Sequence, residues 1–244
     1  MKYKSEFEFA KNIAVKAGRY LEQQTNKAIS SEIGKDIKLQ LDKESEQIIV
    51  SELNDKFAHP ILSEETGLVG SKESEAPIWI VDPIDGTMNY SRDIPFACVS
   101  IAFWSGKNPV FGIVYDFNRD ELFSGYIGAG GWLNDQPIKP GIKKSESRSI
   151  LATGIPVYMS TSEDKLSVLV KNIQIFKKIR MMGSAALSLA YVACGRFDAY
   201  YEESIKLWDV AAGLSLVKAV GVDVQFTFIN NEYGMDVFVG NIKE

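Results

Sequence analysis

The stretch Trp79-Ile80-Val81-Asp82-Pro83-Ile84-Asp85-Gly86-Thr87 constrains this chain more than any other. Trp79, Ile80 and Val81 are a short apolar run that reads as the end of a buried strand. Asp82 and Asp85 follow, three apart, and Gly86-Thr87 turns the chain. Two carboxylates therefore emerge at the C-terminal edge of a strand, where open α/β sheets bind ligands. Such a pair suits a hard cation, because magnesium takes oxygen ligands in a near-octahedral shell and binds through a few carboxylates plus substrate phosphate. Asp, Pro and Gly also punctuate strand ends for purely conformational reasons, so the reading depends on whether further carboxylates join these two.

Two more acidic positions recur in the same context. Pro60-Ile61-Leu62-Ser63 is another strand-like run, and it ends in the pair Glu64 and Glu65. Far downstream, Trp208 and Asp209 open an apolar helical stretch containing Val210, Ala211, Leu214 and Val217. Asp209 could simply complement the positive end of its helix, and Trp208 reads as core. The chain has 27 Lys+Arg against 32 Asp+Glu, a net charge of -5, which argues against a nucleic-acid partner, since phosphate backbones reward basic faces. Carboxylates alone would repel a phosphate, whereas bound divalent cations invert that local field.

Absences narrow the class. With one histidine, His59, a multi-His zinc site is excluded and a Ser-His-Asp triad has a single candidate base; His59, before Pro60, reads as a loop residue. Neither Cys98 nor Cys194 is followed six residues on by the arginine of a cysteine-phosphatase loop, and there is no Gly-x4-Gly-Lys-Ser/Thr loop. Both cysteines lie in apolar runs, the usual setting of buried free thiols. No secretory leader and no apolar run of the roughly 20 residues needed to span a bilayer is visible, so a cytoplasmic protein without a membrane partner is expected.

The organisation reads as layers. Phe7, Ala10, Ile13, Ala14, Ala17 and Leu21 recur at helical spacing over about 5–25, and Ile49, Leu53 and Phe57 mark a second helix. From Ile78 to Ile155 short β-rich runs alternate with turn signals, as in an antiparallel sheet. Beyond lie a helix near 162–171, a strand near 174–180, a helix from Ser184 to Cys194 ended by Gly195, a strand near Phe197–Tyr201 and a helix from Trp208 to Val220 ended by Gly221. At 244 residues the chain is long enough for a large core. It reads as one compact catalytic unit with an α+β lobe over 1–145 and an α/β lobe over 146–244.

Taken together, the Glu64-Glu65 pair, Asp82-Pro83-Ile84-Asp85-Gly86-Thr87 followed by Asn89-Tyr90, and Trp208-Asp209-Val210-Ala211-Ala212 resemble the lithium-sensitive, magnesium-dependent inositol monophosphatase family. The resemblance runs from about Asp36 to Gly213. It implies a layered α-β-α-β-α sandwich, a homodimer, and two or three Mg2+ ions held by Glu64, Asp82, the Ile84 carbonyl, Asp85 and Asp209. It further implies catalytic roles for Glu64, Thr87 and Asp42, the last pairing with Thr87 to activate water, although an N-cap role for Asp42 stands beside this. Asp85, Gly86, Thr87, Gly183, Ser184, Ala185 and Glu202 would contact substrate. Close packing of small residues and a solvated glutamate are the plainer readings of the last four. The family's Asp-Leu-Val-Thr-x-x-Asp is here Asp36-Ile37-Lys38-Leu39-Gln40-Leu41-Asp42, which puts Leu39 in the place of the threonine. The implied partner is a small phosphate monoester, with inositol monophosphate first. Fructose 1,6-bisphosphate, histidinol phosphate and 3'(2'),5'-bisphosphate nucleotides are alternatives, and an interaction protein that keeps the fold is the non-enzyme alternative.

Overall fold

The structure, a computed structural model, describes residues 1–33, 36–71, 76–155, 163–229 and 233–243, with backbone alone for Ile33, Asp36 and 163–165. The chain opens with helix α1 (Lys4–Glu22), whose Phe7, Ala10, Ile13, Ala14, Ala17 and Leu21 form one buried stripe. A hairpin of β1 (Ile29–Ile33) and β2 (Asp36–Leu39) leads into α2 (Gln40–Lys56), then β3 (Ile61–Ser63), β4 (Gly67–Val69) and β5 (Pro77–Asp85). The short helix α3 (Thr87–Ser91) precedes β6 (Cys98–Ser105), β7 (Asn108–Asp116), β8 (Glu121–Tyr126), β9 (Gly130–Leu133) and β10 (Gln136–Pro137). The remainder comprises β11 (Ile150–Thr153), α4 (Glu163–Gln174), β12 (Lys178–Arg180), α5 (Ala185–Ala193), β13 (Ala199–Lys206), α6 (Leu207–Ala219), β14 (Asp223–Phe228) and β15 (Gly234–Gly240).

Eight strands make the first sheet, in the order β10-β9-β8-β7-β6-β5-β3-β4, antiparallel except where β3 runs parallel to β5. The second sheet has the order β12-β11-β13-β15-β14, with β11 parallel to both its neighbours. Period two along the strands sends side chains to both faces of the first sheet. On β6, Val99, Ile101 and Phe103 join α1 and α2 in one core, whereas Cys98, Ala102 and Trp104 join α5 and α6 in another. That second core also takes Ala152, Tyr200, Val237 and Val239 from the second sheet. Helices α5 and α6 are thus sandwiched between the sheets. The fifth layer is α4, whose Asn172 side chain reaches the Tyr201 hydroxyl. The fold is the expected α-β-α-β-α sandwich.

An apolar helix between two sheets needs close approach on both sides. A Cβ built at Gly112 of β7 would lie 2.1 Å from the Ala212 carbonyl oxygen, and one at Gly125 of β8 would lie 2.7 Å from Leu216 Cα. The two glycines let α6 rest on the sheet backbone. Trp104 fills the space beside them and donates its indole N–H to Ser215 Oγ at 3.0 Å and to Ala211 O at 3.2 Å.

Several local expectations shift. The β1–β2 hairpin lies in a stretch left unassigned by periodicity. The expected helix start near 162 lies outside the described residues, and α4 runs on to Gln174, so the strand expected over 174–180 shrinks to Lys178–Arg180. Phe57 ends α2 in an extended conformation, with its N–H still bonded to Leu53 O. Both cysteines are free thiols; Cys98 is buried and Cys194 half-buried. Among the described residues no helix is long and apolar enough to cross a membrane.

Candidate active site

Alternation along β5 decides where its carboxylates point. Ile78 and Ile80 face the α5–α6 core, and Trp79 and Val81 face the α1–α2 core. Asp82, two beyond Ile80, therefore faces α6, which carries Asp209 in its first turn. β3 runs beside β5 with Leu62 level with Ile80, and the Glu64 N–H extends that ladder to Val81 O at 3.2 Å. Carboxylate oxygens of Glu64, Asp82 and Asp209 consequently lie within 4.8 Å of one another. A register shift between Asp82 and Asp85 turns Asp85 toward the start of α5. There it accepts hydrogen bonds from Ser184 Oγ at 2.5 Å, the Ala186 N–H at 2.7 Å and the Ala185 N–H at 3.3 Å.

The charges are poorly matched within the protein itself. Burial first, then Glu64, pushes the Asp82 carboxyl well above the usual range, and Asp209 rises for the same two reasons. Glu64 is raised by enclosure and by the neighbouring Glu65. Asp85 is raised by burial against the lowering effect of the Ser184 hydroxyl and the N–H groups at the start of α5. An all-oxygen set of crowded carboxylates is the donor chemistry of a hard divalent cation, so these residues fit magnesium. Glu46 secures the loop that presents Glu64, its carboxylate accepting the Glu65 and Thr66 N–H groups at 3.2 and 3.1 Å.

Thr87 opens α3, and Gly86 ahead of it takes φ +95°, where a side chain would collide with the carbonyls of Phe96 and Gly183. The Thr87 hydroxyl lies 2.9 Å from Ile84 O and 3.2 Å from Asp42 Oδ1. Asp42 does not stand at the N-cap as its position suggested. Leu39 does, and Asp42, in the third helical position, accepts the Leu39 N–H at 2.5 Å. Side chain to Thr87 and side chain to helix start are thus the same carboxylate. Its pKa is about 7, raised chiefly by burial. Asp209 sits in the matching place in α6 and accepts the Lys206 N–H at 3.3 Å.

One cleft of about 710 Å3 is lined by Glu64, Asp82, Ile84, Asp85, Gly86, Thr87, Gly183, Ser184, Ala185, Glu202 and Asp209. Of the candidate residues only Asp42, 2% exposed behind Thr87, is absent from its wall. Ser184 and Ala185 spend their donors on Asp85, so their first effect is to fix that carboxylate. Glu202 accepts the Tyr200 hydroxyl at 2.7 Å, lies against Gly154, where any side chain would displace it, and is raised to about 7 by burial. Trp208 is half-buried, packed against the α5–α6 core as expected and also lining the cleft. His59 packs among Tyr3, Phe57 and Phe103, away from it. Two features escaped the sequence. Asn89 Nδ2 donates to Phe96 O at 2.8 Å and Met182 O at 2.6 Å, tying α3 to the turn before α5. Lys38 lines the cleft from β2; the apolar-charged-apolar alternation of Ile37-Lys38-Leu39 was the available signal.

A carboxylate-lined cleft at the edge of the first sheet, between the two halves of a five-layered sandwich, is the arrangement of the metal-dependent phosphatases. Comparison with known proteins makes the assignment specific: residues 3–239 match the inositol monophosphatase family, and the chain belongs to that family, whose members are magnesium-dependent phosphatases. It is 43% identical over 185 residues to the Nus factor SuhB of Xylella fastidiosa, covering 74% of this chain and 66%, just under two thirds, of that protein. It is 41% identical over 196 residues to inositol monophosphatase 3 of Solanum lycopersicum, covering 76% and 72%. The structure of inositol monophosphatase from Anabaena (Nostoc) sp. PCC 7120 superimposes with a TM-score of 0.83 at 31% identity, over 99% of this chain and 92% of that one.

Proposed function

We propose that the chain hydrolyses a small polyol or sugar phosphate monoester, with inositol monophosphate as the first candidate, using two or three magnesium ions. The observation that carries this is the meeting of Glu64, Asp82 and Asp209 within 4.8 Å, in one cleft with Asp85 and Thr87. Glu64, Asp82 and the Ile84 carbonyl would hold magnesium on one side, and Asp82, Asp85 and Asp209 on the other. When bound, the ions supply charge that draws in the phosphate and Lewis acidity that eases ionisation of the attacking water.

The chain's own groups do the positioning that phosphoryl transfer mainly demands. The Thr87 hydroxyl donates toward Asp42, which leaves its oxygen lone pairs free to accept from the attacking water. A proton taken there passes on to Asp42, and a carboxyl with a pKa of about 7 is suited to that transfer near neutral pH. The N–H groups of Gly86 and Thr87 would cradle the phosphate, and Glu202 would accept from hydroxyls of the alcohol. Ser184 keeps Asp85 in place throughout.

Phosphate release from inositol monophosphate, fructose 1,6-bisphosphate, histidinol phosphate and adenosine 3',5'-bisphosphate, with and without magnesium, tests this. Magnesium-dependent release, fastest from inositol monophosphate, is expected; no release from any of them contradicts it. The Nus factor name of the Xylella relative favours a second reading, a protein that acts by binding others, but the full set of carboxylates speaks for an enzyme. A homodimer is the proposed assembly, to be read as a dimer's mass by light scattering.

A further inference from the structure

The family pattern Asp-Leu-Val-Thr-x-x-Asp is broken at Lys38, where it has Val, as well as at Leu39. On β2, Ile37 and Leu39 turn inward, 7% and 0% exposed. Lys38, between them, points the opposite way, into the cleft that Glu64, Asp82 and Thr87 share. Its ammonium lies 2.8 Å from Glu65 Oε1, and the Glu65 side chain is 4% exposed. A cation fixed on β2 is thus paired with the Glu64–Glu65 turn, in the cleft that Glu64 shares with Asp82 and Asp209.

Exposed Lys–Glu pairs contribute little to stability. This pair differs because its acidic member is enclosed and because the neighbouring Glu64 belongs to a cluster already short of positive charge. A valine at position 38 would leave the Glu64–Glu65 pair with no cation supplied from β2, and paired carboxylates attract a hydrated divalent ion. Lysine carries a compact point charge with three donors, tethered by the chain and present at every magnesium concentration.

We propose that Lys38 substitutes for one divalent ion, so that this site takes two ions where a variant without the charge takes three. The inference rests on the reading of the carboxylate cluster as a magnesium site. Lys38 is here a positioning residue: it neutralises the Glu64–Glu65 turn and holds Glu65 aside, while Glu64 remains turned toward Asp82 and Asp209.

The test is ion stoichiometry, with Mn2+ alone as the probe, titrated into chelator-treated protein while free Mn2+ is counted by electron paramagnetic resonance. Wild type and Lys38→Arg should each bind two equivalents and Lys38→Met three, with circular dichroism confirming a folded chain. Should Lys38→Met not fold, Lys38→Gln carries the same expectation. Three equivalents on wild type, an equal count on wild type and the neutral variants, or a gain on Lys38→Arg as well, overturns the role of Lys38. If magnesium-dependent phosphate release persists alongside such a result, the metal reading stands and the Lys38 inference alone fails. Wild type that binds no Mn2+ sinks both.

Discussion

Asp42 does two jobs with one carboxylate, and its two oxygens separate them. Oδ2 accepts the Leu39 N–H at 2.5 Å and Oδ1 meets Thr87 at 3.2 Å. Asn in its place can still accept the Leu39 N–H but cannot take a proton from Thr87. Asp42→Asn and Thr87→Ala should therefore each lower turnover by roughly 10² to 10⁴ and leave the melting temperature near wild type, whereas Asp42→Ala should also lose about 0.5–2 kcal/mol of stability. Normal turnover for Asp42→Asn would reduce Asp42 to a helix-start residue. Titration offers a second reading at this scale. Asp42 and Glu202 move from ordinary values near 4 to about 7 in the fold. A carboxyl whose folded pKa exceeds its unfolded value binds its proton more tightly when folded, so between about pH 4 and 7 the folded state carries more protons and stability falls as pH rises. Metal-free protein should thus melt progressively lower across that window; a melting temperature that climbs with pH contradicts the assignment. Glu64, Asp82, Asp85 and Asp209 could be picked out in the sequence because each follows or opens an apolar run. Lys38 could not, since a lone lysine on a strand has many uses and only the tertiary fold selects one, and Asn89 was legible as part of the motif but not for the bonds it makes to Phe96 and Met182.

Helix α6 illustrates what holds the elements together. It is apolar nearly all round, as its sequence shows, because both sheets cover it. The close approach to Gly112 is what permits this. Gly112→Ala places a methyl 2.1 Å from the Ala212 carbonyl oxygen, and overpacking of this kind costs about 1–3 kcal/mol, although alanine is otherwise the better strand residue of the two. Chemical denaturation should register that loss, and unchanged stability would mean that α6 does not lie where described. Strands from Cys98 to Tyr126 were legible because alternation and Gly or Asn turns mark antiparallel neighbours. The parallel pairs β3–β5 and β11–β13 were not, for their partners lie far apart in sequence and no turn fixes their register. Three-residue β3 was legible as an apolar run rather than as a period, while β12 was placed too wide, over 174–180.

At the scale of the molecule, the first sheet draws its strands from residues 61–137 and the second from 150–240, and the cleft lies where the two halves meet. Glu64, Asp82 and Asp85 come from the first half, Asp209 and Glu202 from the second, with Ser184 and Asn89 making bonds that span the junction. A layered architecture of this kind follows from texture alone, a β-rich middle flanked by helices, but the depth at which α6 inserts between the sheets does not, and that depth brings Asp209 to Asp82. The central claim is that these crowded carboxylates are a magnesium site that hydrolyses a phosphate ester. It is tested most directly by initial rates of phosphate release from inositol monophosphate against magnesium concentration, for wild type and for Asp82→Asn, which keeps the shape of the side chain and removes its charge. Wild type should be silent in chelator and rise to saturation with magnesium, while Asp82→Asn should stay more than tenfold below it at every concentration with its fold intact. Wild-type release that ignores magnesium, or a variant within tenfold of wild type at saturating magnesium, contradicts the claim.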